Sequence, residues 1–161
     1  MGHTVVTKVI ALALCSTIAA LSATQENAYK IVYDGGSLQN AKAGTNIELV
    51  INQKFIVLER KGSEPMIAIP ASAITEISYG QDVHRRVGAA IGLAVVSLGI
   101  GALMALTKSK KHFVGITWDD AGQKGGFAFQ ADKKDYRGVI AGLEGVTGRT
   151  AVNSDALTVK N

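Results

Sequence analysis

The chain has 161 residues, 17 of them basic and 13 acidic for a net charge of +4, and 47% of it is hydrophobic. That hydrophobic share excludes a disordered polymer, and the length allows one core rather than two ordinary domains. A single cysteine, Cys15, excludes a disulfide framework and a thiolate metal site.

The N-terminal stretch "MGHTVVTKVIALALCSTIAALSATQ" has one positive charge at Lys8, then apolar or small residues from Val9 to Leu21, then Ser22 and Ala23. This is the order of a secretory signal, and the apolar run is too short to span a bilayer comfortably. Residues 1–23 are expected to be a signal peptide released near residue 23. An uncleaved N-terminal anchor is the alternative, since the small-residue rule at the cleavage site is met only approximately. Leu14 stands before Cys15 where a lipoprotein signal needs a small residue. Release would remove the only cysteine and leave a domain held by its apolar core alone.

A series of strands follows. "AYKIVYDGG" alternates Tyr29, Ile31 and Tyr33 against Lys30, Val32 and Asp34 and meets a Gly35-Gly36 turn; "TNIELVINQ" puts Ile47, Leu49 and Ile51 on one face. "KFIVLERKG" closes at Gly62, "PMIAIP" ends at Pro70, and "AITEISYG" carries Ile74, Ile77 and Tyr79 with a three-residue step that predicts a bulge or bend. After an interruption, "HFVGITW" leads into the polar turn "DDAGQKGG", and "FAFQ" returns. A period of two punctuated by glycine predicts an antiparallel meander.

The interruption, residues 84–111, contains the chargeless run "GAAIGLAVVSLGIGALMAL". Between Val83 and Trp118 stand Arg85, Arg86, Lys108, Lys110 and Lys111 with no acid, which is more than the whole net excess. Basic residues that flank a lipid-like run, rather than interleaving with aromatics on one face, point to an anionic membrane surface and away from nucleic acid. The alternative is a solvated surface around a core helix.

One amphipathic helix closes the domain. In "ADKKDYRGVIAGLEGVTG", Asp132 is placed to cap, Asp135 falls in the first turn, Tyr136, Val139, Ile140 and Leu143 form one apolar stripe, and Gly145 or Gly148 ends it. The tail from residue 149 to 161 has no pattern and is expected to be loose.

This succession resembles the bacterial pleckstrin-homology-like (PH-like) family, which includes GRAM-type relatives. The residues that carry the resemblance are Ile69, Pro70, Ile74 and Ile77, then Phe129, Asp132, Tyr136, Ile140 and Leu143, within residues 29–148. The resemblance implies a mainly β (α+β) fold: a bent antiparallel barrel of about seven strands, a C-terminal helix, and here an inserted apolar helix or helical hairpin. It also implies a non-enzymatic domain that binds lipids, peptides or partner proteins.

Taken as one straight helix, Val87–Leu106 would be about 30 Å long and match a hydrocarbon core. A single crossing, however, would part the early strands from the last two and leave neither side a closed sheet. A re-entrant element that turns at Gly99-Ile100-Gly101 keeps both basic flanks on one face. Gly88 and Gly92, with Gly99 and Gly101, are the candidate membrane-inserting or self-association positions, and a homo-oligomer would shield the turn.

No residue set reads as catalytic or cofactor-binding. Gly99-x-Gly101 lacks the third glycine of a dinucleotide fingerprint, and "GLEGVTGRT" is not a phosphate loop. Asp119 and Asp120 read as a turn. His84 and His112 would meet if the insert is a hairpin, but two imidazoles alone make a thin metal site, so no metal is expected. Trp118 and Tyr79 fit either interfacial anchors or barrel-core aromatics. The expected protein is an exported, membrane-associated, non-enzymatic binding or scaffolding protein on the periplasmic face of the cell envelope. The alternative is a soluble exported ligand-binding domain with the apolar segment buried as a core helix.

Overall fold

The computed structural model describes residues 27–60, 63–92 and 112–157. The expected signal peptide, Gly99, Gly101, Lys108, Lys110 and Lys111 lie outside these residues. In chain order the elements are β1 (Asn27–Gly36), β2 (Asn46–Ile51), β3 (Phe55–Glu59), β4 (Pro65–Pro70), β5 (Ile74–Tyr79), α1 (Val83–Ile91), β6 (His112–Asp120), β7 (Gln123–Ala131), α2 (Tyr136–Thr147) and β8 (Val152–Asn153). The strands form one sheet in the order β4-β3-β2-β1-β7-β6-β5-β8.

Alternation decides which face is buried. Ile31 and Tyr33 of β1, Ile47, Leu49 and Ile51 of β2, Ile56 and Leu58 of β3, and Ile74 and Ile77 of β5 all enter one core with Val114, Ile116, Phe127 and Phe129. The three-residue step between Ile74 and Ile77 is real: the β5–β6 register shifts between Ile74 and Glu76, which lets both isoleucines face inward. Into this core α2 inserts Val139 and Leu143, both fully buried. At about 1.5–3 kcal/mol for each buried aliphatic side chain, those two residues, with Tyr136, Ile140 and Val146 packed beside them, hold an otherwise short helix in place.

The hairpin β6–β7 is longer than its sequence suggests. Of the polar stretch expected as a turn, only Ala121 and Gly122 turn, with φ of 51° and 85°, and its flanks pair from Asp119↔Lys124 to Asp120↔Gln123. Two consecutive positive φ values match the right-handed twist of the strands, so polarity there marks exposure and not loop.

Two further expectations are corrected, on the cap of α2 and on the tail, and one open alternative, the end of α2, is decided. Asp132 does not cap α2: Asp135 is the N-cap residue, and Asp132 instead takes the Lys134 N–H on its carboxylate at 2.9 Å. Gly145 stays inside the helix, which ends at Gly148 in the left-handed conformation. The tail is not loose over its first part, because β8 pairs in parallel with Ser78 and Tyr79 of β5 and a short 3-10 turn, Asp155–Leu157, follows.

The insert differs as well. Val87 does not begin a straight helix to Leu106: α1 starts earlier, at Val83, and Gly92 ends it with φ of 69°. A residue in that region cannot continue a right-handed helix, and glycine occupies it at little cost.

Candidate functional site

Helix α1 lies on the outer face of the β6–β7 hairpin, opposite the main core. Val83, Val87 and Ile91 pack on Phe113 and Ala128 in a second small apolar cluster. Close approach depends on missing side chains. A Cβ on Gly115 would stand 2.5 Å from Val83 Cγ1 and 2.8 Å from Val87 Cγ2, and one on Gly126 would stand 3.1 Å from Ile91 Cγ2. The hairpin is therefore buried on both faces, which explains why the inner segment of β6, from Phe113 to Trp118, has no exposed residue.

A histidine–carboxylate contact and an ion pair flank this apolar seat. His84 Nε2 of α1 lies 2.7 Å from Asp34 Oδ2 of β1, and the same carboxylate meets Gln130 Nε2 at 3.4 Å. Asp34 is buried, and its Oδ2 and His84 Nε2 touch without completing a hydrogen bond. The His84 ring also stands edge-on to Phe113, 5.3 Å between centroids. On the other side Arg86 donates from Nε to Glu76 Oε1 at 2.8 Å and from Nη2 to Glu76 Oε2 at 2.7 Å. This fork is half-buried, and hydrogen bonding to Glu76 raises the Arg86 pKa above its ordinary value.

The tail completes the site. Asp155 Oδ1 accepts the Gln81 N–H at 2.6 Å and the Asp82 N–H at 3.3 Å, so a residue more than seventy positions away caps the entry to α1. Ser154 donates both its N–H (2.7 Å) and its hydroxyl (2.9 Å) to Tyr79 O, and Arg149 Nε donates to Ile74 O at 3.0 Å. These bonds cover the edge of β5 that the sheet order would otherwise leave open. At the opposite edge, β4 is bracketed by Pro65 and Pro70, which offer no N–H to a further strand.

The predicted residues are distributed as follows. Arg85 is exposed on α1, whereas Arg86 is engaged by Glu76 and Gly88 is buried against the sheet. Gly92 is the C-cap that ends α1. His84 and His112 do not come together as a pair: His112 stacks on Tyr136 of α2, 4.5 Å between centroids, while its neighbour Phe113 faces His84 on the other side of the sheet. Trp118 is a barrel-core aromatic against Phe127, and Tyr79 stands edge-on to Tyr136. Burial first, then Tyr79 and Asp155, push the Tyr136 pKa up. Sequence reasoning missed Glu76, Asp34 and Asp155. The only trace of the seat was the run of small residues, Gly115, Gly126 and Ala128, on the outward positions of two strands.

Among the described residues no helix is long and apolar enough to cross a membrane, and no group of three or more His, Cys, Asp or Glu side chains is placed to hold a metal ion. No protein-family model matches the sequence, and no curated protein matches it. Solved structures do. The C-terminal phosphotyrosine interaction domain of mouse APBB2 has a TM-score of 0.51 at 8% identity, over 80% of this chain and 90% of that one. At such low identity the likeness is one of fold: mainly β, with an open bent sheet and a C-terminal helix, of the PH-like class.

Proposed function

We propose that this protein is a non-enzymatic, exported interaction domain of the cell envelope, a PH-like barrel that engages a protein partner while its apolar insert holds it on the membrane. The observation that carries the tether is the pairing across the insert: β5 pairs with β6 from Ile74↔Trp118 to Tyr79↔Val114, and β1 pairs with β7 from Ile31↔Ala131 to Gly36↔Phe127. Chain on both sides of residues 93–111 thus belongs to one sheet, and breaking that sheet across a bilayer would expose two sets of unpaired strand edges. This supports an element that enters and leaves by the same face. The partner class is supported by the fold and by its likeness to the mouse phosphotyrosine interaction domain.

A second reading has one observation in its favour. Val87, Gly88 and Ile91, the first residues of the apolar run, lie on the sheet. A soluble domain with the whole run folded over the barrel would extend that contact. Carbonate extraction followed by detergent separates the two, paired with impermeant thiol labelling of single cysteines at Arg85 and Lys110. Retention until detergent is added, with both cysteines labelled from the same side, is the expected result. Release by carbonate alone, or labelling from opposite sides, overturns the tether.

A further inference from the structure

At one end of the β6–β7 hairpin the insert rejoins the sheet at His112, which pairs with Ala131. Ala131 leads into the turn Asp132–Asp135 and α2, and Tyr136 stacks on His112. That turn and the first turn of α2 carry Lys133, Lys134 and Arg137, all exposed and without an ion-pair partner among the described residues. Of the two acids beside them, Asp132 is exposed and its carboxylate takes the Lys134 N–H, while Asp135 is half-buried at the helix N-cap. The opposite end of the hairpin, about 26 Å away along nine residues, carries Asp119 and Asp120. The hairpin thus carries three exposed cations against two acids where the insert emerges, and two acids against Lys124 at its far tip.

We propose that the β7–α2 turn is the membrane-docking surface of the domain, with Lys133, Lys134 and Arg137 set against anionic phospholipid headgroups. This rests on the tether reading above. The sequence alone separates these residues from the basic flank Lys108–Lys111 by more than twenty positions, and the stack of Tyr136 on His112 brings them to the point where that flank ends. An anionic surface favours each nearby Lys or Arg by about five-fold in partition, so three together set the domain's orientation once the insert holds it close.

The test uses the mature chain without residues 1–23, which carries no cysteine, reconstituted in vesicles of phosphatidylcholine alone or mixed with phosphatidylglycerol. A fluorophore is placed on a single cysteine at Lys134 or, in a second protein, at Gln123 by the far tip, and is quenched by headgroup-labelled lipid. Quenching in the anionic vesicles is expected to be several-fold stronger at 134 than at 123. With Lys133→Glu and Arg137→Glu together, the docked fraction is expected to fall about ten-fold or more. Failure to float with either vesicle overturns the tether, and this surface with it. Flotation with equal quenching at the two positions overturns the surface and leaves the tether standing. A preference for 134 that is the same without phosphatidylglycerol and unmoved by the charge reversals assigns the orientation to the insert alone, and also overturns it.

Discussion

Arg86 of α1 and Glu76 of β5 face each other as a two-bond fork, 2.8 and 2.7 Å, that ties the start of the apolar insert to the strand preceding it. Both side chains keep about a quarter to a third of their exposure, which limits the fork's contribution to global stability to about 1 kcal/mol or less. Arg86→Ala is expected to leave the urea midpoint, read by Trp118 fluorescence, nearly unchanged while amide exchange in α1 quickens. A large loss of global stability would mean that α1 is part of the main cooperative unit.

The seat of α1 is tested by Gly115→Ala. Its methyl group would collide with Val83 and Val87, so α1 must lift or the cluster must repack, at a cost of about 1–3 kcal/mol. Gly145→Ala, where the added Cβ meets nothing within 4 Å in a helix interior, is expected to be neutral or stabilising by up to about 1 kcal/mol. Denaturation of both variants in detergent gives the comparison.

His84→Ala would leave the buried Asp34 carboxylate with only the 3.4 Å contact to Gln130. The expected loss is about 1–3 kcal/mol, and Asp34→Asn in the same protein is expected to recover part of it, because an amide costs less than a carboxylate to bury unpaired. A double variant no more stable than His84→Ala alone would place the loss in the Phe113 contact instead.

Removing residues 149–161 is expected to uncover the β5 edge and the entry of α1 together. Asp155→Ala tests the cap alone and should cost about 1 kcal/mol, the usual worth of a side-chain cap. The truncated protein is expected to self-associate through the freed strand, seen as a mass increase in light scattering that Asp155→Ala does not cause.

Alkaline pH should weaken the fold. Burial raises the pKa of Tyr33, with the Leu38 backbone working against it, and burial with Tyr79 and Asp155 raises that of Tyr136. A folded-state pKa above the unfolded value of about 10 means that the native state holds its proton longer. That stability is complete below about pH 10 and is lost as pH rises through the folded values. Urea midpoints from pH 9 upward are expected to fall, and to fall less steeply in Tyr33→Phe.

The strands and α2 were legible in the sequence because a period of two or of 3.6 is a local consequence of backbone geometry. Ile31 and Tyr33, Ile47 to Ile51, and Val139 with Leu143 declare their buried face without reference to any partner. The Ile74–Ile77 step even announced its register shift. Turn and cap details were less legible, since Asp132 and Asp135 are both capable caps and only the path of the chain from Ala131 selects between them.

What periodicity does not encode is which element covers which. Val83 and Val87 find Gly115 because β6 happens to lie beneath them, and Arg86 forks onto Glu76 because the preceding strand stands within reach. Val152–Asn153 becomes a strand although two residues carry no repeat, because the open edge of β5 supplies its hydrogen bonds. Alternation and charge, which each residue carries by itself, belonged to the sequence; pairing, which takes two distant residues and the geometry between them, was decided only by the tertiary structure.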